Sequence, residues 1–244
     1  MAPRPEPAWL ETCRARFGAR EHVSRPHVVE AVLSAPVAID PQHPIMLEGA
    51  LQCAAIAAVT GRTPDEVGLG PGVFVDIPIP IADQVRHGRR VARCSAAECD
   101  AIAGERYVRR RPRSERYALS QVRETLGEYK AWSLPVPTRI AAVLRWHVVA
   151  DPERLYALLP DVLAIGRSRQ GGLGHVALWR MMPAKVDRSW RREDGSPARP
   201  LPVTSPAAAR AEFGPGVQLA EVGYRAPYWH NEARALCALP GGAA

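Results

Sequence analysis

The stretch from Arg139 to Met181 constrains the fold more than any other, because three different local patterns follow one another in it without a gap. "RIAAVLRWHVV" (Arg139 to Val149) alternates, with Ile140, Ala142, Leu144, Trp146 and Val148 on one side and Arg139, Arg145 and His147 on the other. Such alternation reads as a strand with one buried and one basic face. Asp151 then has the chemistry of an N-cap, and Pro152 has the fixed φ of a first helical position. Leu155, Leu158, Leu159 and Val162 supply the apolar stripe of a short helix, interrupted or restarted at Pro160. "IGRSRQGGLGHVALWRM" (Ile165 to Met181) closes the unit with a glycine-rich turn leading directly into another strand.

Upstream, "HVVEAVLSAPVAI" (His27 to Ile39) puts Val29, Ala31, Leu33 and Ala35 on one side and Glu30 and Ser34 on the other, again a strand. "IMLEGALQCAAIAAVTG" reads as a helix, apolar almost all round except for Glu48 and Gln52, and ended by Gly61. "GVFVDIPIPIADQV" and "RRVARCSA" read as two paired strands, with Pro78 and Pro80 demoting part of the first to an edge. From Asp100 to Pro137 no period is long enough for a core element, so this part reads as an insertion. Strand, helix, two strands, insertion, strand, helix, strand is close to the split order of an α+β, ferredoxin-like sheet with helices on one face. On its open face, which RRM-like domains use to hold single-stranded RNA, Arg145 and His147 are expected, as is a place for Trp179 unless it packs half-buried. Residues 1–26 precede this unit, which spans 27–182, and a Pro-rich loop and C-terminal extension occupy 183–244.

Charge points toward a polyanion. The chain carries a formal net charge of +7, and Lys130 and Lys185 are its only lysines, so its cations are mostly guanidinium forks suited to phosphate. A GC-rich genome would also favour arginine codons, so placement matters more than number. Arg106 to Arg116, "RYVRRRPRSER", holds six arginines against the single acid Glu115, unlike the mixed signs of a solvated face. No apolar run approaches the ~20 residues that cross a bilayer, and the N-terminus has no apolar signal core, so a cytoplasmic protein without membrane contact is expected. Five cysteines without a CxxC pair argue against a disulfide framework and a zinc site, and neither a metal nor a cofactor is expected.

The glycine loop is not a nucleotide loop. A Walker loop needs a Lys-Ser/Thr pair after its last glycine and opens a helix, whereas Gly174 precedes His175 and Val176 and opens a strand. A dinucleotide fingerprint has the same order problem. What the composition allows is close approach of backbone N–H groups at Gly171, Gly172 and Gly174 to an anion whose charge Arg167 and Arg169 neutralise, with Val176 and Leu178 anchoring the loop.

"IGRSRQGGLGHVALW" resembles the glycine-rich loop of the CRISPR-associated RAMP proteins. With "HPIMLEGALQCAA", "WHVVADPERLYALLPDVLAIG" and "YRAPYWHNEARALCALP", the chain more narrowly resembles the Cas-five-like (Csf-three family) subunit of type IV CRISPR effectors, from about residue 27 to the C-terminus. The resemblance implies a RAMP domain with an inserted arginine-rich thumb hairpin at 100–137. It implies a non-catalytic subunit that binds and caps the 5′ handle of the crRNA. Implied partners are a backbone RAMP subunit, a large Cas-eight-like subunit, target DNA near the protospacer-adjacent motif, and an effector-recruited helicase. By the same resemblance Gly166, Arg167, Ser168, Arg169, Gln170, Gly171, Gly172, Gly174 and His175 touch handle RNA beside Arg145 and His147. The thumb would carry Arg106, Arg109, Arg110, Arg111, Arg113, Arg116 and Lys130. Leu173 departs from the family pattern, which often has an aromatic residue there.

Two other classes stay open. A metal-independent endoribonuclease that processes precursor crRNA would need a histidine base near the scissile phosphate, and His147 and His175 are the nearest candidates. An assembly protein that binds no RNA would owe its arginines to genome composition alone.

Overall fold

The computed structural model describes residues 6–38, 44–69, 74–110, 132–166, 172–228 and 230–241. Helix α1 (Ala8–Phe17) precedes strands β1 (Arg25–Leu33) and β2 (Val37–Ala38), and helix α2 (Leu47–Thr60) follows. A hairpin of β3 (Asp83–Arg86) and β4 (Arg89–Ala92) comes next, then β5 (Ala101–Arg110) paired with β6 (Trp132–Ala141). β7 (Val143–Ala150) runs into α3 (Pro152–Leu158), and β8 (Val176–Pro183) lies beyond the glycine loop. β9 (Leu201–Pro202), α4 (Pro206–Phe213), β10 (Leu219–Gly223) and β11 (Arg234–Ala238) form the C-terminal part. The architecture is α+β, built from small antiparallel sheets.

β1 is the middle of the central sheet, with β7 on one side and β8 on the other, both antiparallel to it. Alternation decides its faces: Val29 stands opposite Trp146 and Met181, and Ala31 opposite Leu144 and Trp179. This side is buried against α1, α2 and α3 through Phe17, Leu47, Leu51, Ile56, Leu155 and Leu158. Trp146 is fully buried and its indole N–H donates to Ile45 O at 3.1 Å, so its one polar atom is satisfied. Residues 93–98 run along the free side of β7. Val149 N–H donates to Arg93 O and Ser95 N–H to His147 O, each at 2.8 Å, and Glu98 and Arg145 exchange backbone bonds. The spatial order is therefore 93–98, β7, β1, β8.

Several elements stand where local pattern puts them. α2 ends at Gly61, whose φ of 67° is left-handed and whose N–H returns to Ala57 O. α3 has Asp151 as its cap, accepting from Arg154 N–H at 3.3 Å, and a 3₁₀ turn at Leu159–Asp161 marks the restart at Pro160.

Other elements differ from the expectation. The alternating run from Arg139 to Val149 is two strands, because the chain bends at Ala142: β6 pairs with β2 and β5, whereas β7 pairs with β1. Ile140 is consequently 54% exposed and Ala142 is exposed, while Leu144, Trp146 and Val148 are buried. The strand from His27 likewise stops at Leu33. Ser34 N–H turns to His175 O and Pro36 has no N–H to give, so the chain restarts as β2 in another sheet. Ile77, Ile79 and Ile81 are buried, yet only Asp83–Arg86 of that stretch is a strand, since Pro78 and Pro80 cannot donate to a ladder. The stretch without a core period contains β5 and β6, paired from Ala101↔Ala141 to Arg110↔Trp132. Ladder bonds are backbone bonds and require no apolar alternation.

The side chain of Asp151 is fully buried and accepts two bonds from Arg20, at 2.5 and 3.1 Å. The Arg20 guanidinium holds its carboxyl below the usual range, with the Arg154 N–H adding to the effect. A carboxyl lowered in the folded state contributes stability above the unfolded pKa near ~4, lost as pH falls through the folded value. The urea midpoint is therefore expected to fall on acidification from about pH 5 to about pH 2, and to fall less in Asp151→Asn, which keeps a cap acceptor but no titrating group.

All five cysteines are free, and burial pushes the Cys237 thiol up to about 12. Among the described residues no helix is long and apolar enough to cross a membrane, and no His, Cys, Asp or Glu cluster could hold a metal ion.

Candidate nucleic-acid interface

The face of the central sheet turned away from the helices is built of three rows. His147, Val28 and Met182 form one, Arg145, Glu30 and Arg180 the next, and Val143, Val32 and Leu178 the third. Arg145 donates from both Nε and Nη2 to Glu30 Oε1, at 2.9 and 2.8 Å. Arg180 is exposed, and among the described residues it has no ion pair. The basic face expected around Arg145 therefore exists, with Glu30 compensating one of its two arginines.

His147 sits at the border of this face, its Nε2 3.7 Å from Glu98 Oε2, and that contact holds the Glu98 carboxyl below its usual range. With Arg188 and Arg192 they line a hollow of about 270 Å³, rimmed by Glu193 and Asp194. Three carboxylates face two arginines and a histidine there, so the hollow offers an anion no excess of positive charge. Trp179 points the other way. Its indole N–H donates to Val162 O at 3.1 Å and its ring lies 6.1 Å from that of Trp146, on the helix side. It is a packing residue, and the open face of these three strands carries no Phe, Tyr or Trp, His147 at its border being the one ring a base could meet.

The base of the glycine loop is tightly made. Ile165 N–H donates to Gly174 O at 2.9 Å, and Gly174 N–H donates to Pro36 O at 2.8 Å. Gly166 has φ 84° and packs so close to Val37 and Ala38 that a Cβ would stand 2.7 Å from Ala38 O. Gly174 has φ 67° and its Cβ would fall 1.8 Å from Ile165 O. Both are glycine because the chain closes on itself there. Gly172, with φ 76°, faces open space. Leu173 is buried at 1% exposure, as is Ile165, which explains an aliphatic residue at that position. These two and Val176 anchor the loop. Leu178 does not: it is 50% exposed, because the parity of β8 turns it to the open face. Arg167, Ser168, Arg169, Gln170 and Gly171 lie outside the described residues.

His175 is exposed, and its Nδ1 lies 2.8 Å from Ser34 Oγ. It is level with Ser34 and His147 is level with Val28, six residues apart along β1. At about 3.3 Å per residue the two histidines are roughly 20 Å apart, too far to act on one phosphate.

Of the candidate thumb residues, Arg106, Arg109 and Arg110 lie on β5, with side chains outside the described part, as Arg111, Arg113, Arg116 and Lys130 are altogether. The root of this pair of strands is described: β6 pairs with β2 through Val37↔Arg139 and Ala38↔Thr138. Val37 and Ala38 also form the wall under Gly166, and Pro36 O receives Gly174 N–H. One short segment, Pro36–Ala38, thus roots both arginine-bearing segments. Local pattern could not show this, since β2 looks like the tail of β1 in sequence.

Comparison with protein families finds no family model that matches the chain, and comparison with the curated proteins finds none that matches it.

Proposed function

We propose that this chain is a non-catalytic subunit of a type IV CRISPR RNA-guided effector complex, binding and capping the 5′ handle of the crRNA. In this reading it contacts a backbone RAMP subunit and a large Cas-eight-like subunit near the target DNA. The spatial order 93–98, β7, β1, β8, with helices on one face, supports the ferredoxin-like part of the reading. The observation that carries it is the common root at Pro36–Ala38, from which the Arg167/Arg169 loop and the Arg106–Arg116 segment both emerge. Two basic segments with a common root can contact one RNA backbone, and the lack of Phe, Tyr or Trp on the open face of the three strands favours phosphate contacts over base stacking.

The test is a titration of repeat-derived 5′-handle RNA at several salt concentrations. Wild-type protein is expected to bind with a steep salt dependence. Arg167→Ala with Arg169→Ala should weaken binding and flatten the log–log slope by about 1.4, at ~0.7 for each phosphate that an arginine no longer neutralises. No affinity for handle RNA at low salt would sink the reading in favour of an RNA-independent assembly role. Metal-free cleavage of precursor RNA by the purified protein would replace it with the endoribonuclease.

A further inference from the structure

β8 is the outer strand of the central sheet, and among the described residues no strand lies against its far side. Its pairing with β1 decides which backbone groups are spent. Ala184 N–H donates to Pro26 O at 2.9 Å, and bonded pairs in an antiparallel ladder recur every second residue. With Val28 opposite Met182, Glu30 opposite Arg180 and Val32 opposite Leu178, the N–H and C=O groups of those three β8 residues face β1. Those of Trp179 and Met181 point outward, whereas at Ala177 the register slips by one residue, a bulge that turns Ala177 toward β1 together with Leu178. The start of the strand is closed, since Val176 N–H donates to Leu163 O and Ala164 bridges His175. From Leu178 to Met181 the edge is open.

Exposed edges are usually blunted by lysine, proline, a bulge or shortness. β8 is eight residues long, its bulge is confined to its start at Ala177, and it has no proline before its last position. On its helix side Trp179 and Met181 border a groove of about 340 Å³ whose other wall is Tyr156, Pro160 and Leu163. Tyr156 and Leu163 are each 68% exposed, an unusual waste of apolar surface beside an open edge. On the other side stands Arg180, without the ion pair that Arg145 makes in the same row.

We propose that this edge docks an extended strand from another protein. The strand's backbone pairs with Trp179 and Met181, its apolar side chains enter the groove beside Trp179, and a carboxylate on its opposite face meets Arg180. A second copy of β8 fits less well. Paired antiparallel about Trp179, the two copies of Arg180 would lie diagonally across the ladder on one face, like charge against like. The inference is independent of the RNA reading, and it stands or falls on a measurement without RNA.

The probe is a blocked nonapeptide of alternating valine and glutamate, with a valine–lysine peptide as control, added to the full-length protein. Hydrogen exchange in the free protein should be fast at the amides of Trp179 and Met181 and slow at Leu178, Arg180 and Met182. The valine–glutamate peptide should saturate below about 1 mM and slow the two outward amides at least about tenfold, and the valine–lysine peptide should not. Met181→Pro removes an outward donor without touching the β1 ladder and should weaken binding about tenfold, while Arg180→Glu should reverse the peptide preference. Unchanged thermal midpoints would show that both variants fold, and the exchange pattern of the unaltered protein tests the edge without them. The proposal is overturned by outward amides already slow in the free protein, by absence of saturable binding, or by an Arg180→Glu preference that does not change. A concentration-dependent dimer seen by light scattering would overturn it in favour of a second copy.

Discussion

Replacing Arg199 with alanine is expected to cost the protein about 3–5 kcal/mol of unfolding free energy, the range for removing one partner of a buried ion pair. Arg199 is wholly buried, and its two terminal nitrogens face both oxygens of Glu48 at 2.9 Å each. The same guanidinium donates to Ala92 O at 2.7 Å, Cys94 O at 3.0 Å and Tyr224 O. Tyr228 Oη completes the group by donating to Glu48 Oε1 at 2.6 Å, and burial together with Glu48 holds that phenol protonated. One side chain thus ties the first turn of α2, the 92–94 run and the C-terminal part together. Alanine there would leave a buried carboxylate without its cation, with Tyr228 still donating to it, and would take a donor from each of three carbonyls. Arg199→Lys should also be poorly tolerated, because an ammonium cannot match a carboxylate with a planar fork while reaching three carbonyls. The double change Arg199→Met with Glu48→Met should lose less than Arg199→Ala, since it removes both charges at once. Urea unfolding at constant m-value measures all three, and an Arg199→Ala midpoint equal to wild type would refute the clamp.

Gly174→Ala is expected to cost roughly 3–4 kcal/mol, from about 1–2 for a left-handed non-glycine residue and about 1 for each of two backbone bonds that must break. Its Cβ would lie 1.8 Å from Ile165 O, so the loop base cannot stay where it is. The bonds at risk are Ile165 N–H to Gly174 O and Gly174 N–H to Pro36 O. Gly172→Ala is the internal control: its φ is similar but nothing lies within 4 Å, so only the conformational part, about 1–2 kcal/mol, applies. If the loop base positions Arg167 and Arg169, Gly174→Ala should weaken handle RNA binding even at temperatures where the protein remains folded, and Gly172→Ala should weaken it less. Equal destabilisation by the two substitutions would show that the loop base yields easily and does not hold the loop.

The parts legible in the sequence are those whose cause is local. The N-cap at Asp151, the stripe Leu155–Leu158–Leu159–Val162 and the end of α2 at Gly61 depend on residues within a turn or two, and they stand as their spacing predicts. Trp146 and Leu144 bury as alternation requires, and Glu48, the odd polar residue of an apolar helix, is the one sequence signal that the clamp left. Its partner lay unrecognised in a stretch that reads as Pro-rich loop, 151 residues away, because an arginine in a loop looks the same whether buried or solvated. The bend at Ala142 was hidden for a related reason. Alternation continues through it unbroken, and only the competing partners, β2 and β5 on one side and β1 on the other, divide the run.

By itself, then, the sequence determined the helices α2 and α3 and the strands β1, β7 and β8, where α3 begins, and that the charge is carried by arginine in a few dense runs. Tertiary structure alone decided which strands pair, which side of β8 faces water, that Gly166 and Gly174 are held against Pro36–Ala38 and Ile165, and that Arg199 is interior. The division is physical. Backbone dihedrals and side-chain period are set by near neighbours, whereas strand partners and the burial of a charge are set by groups that only the closed chain brings within bonding distance.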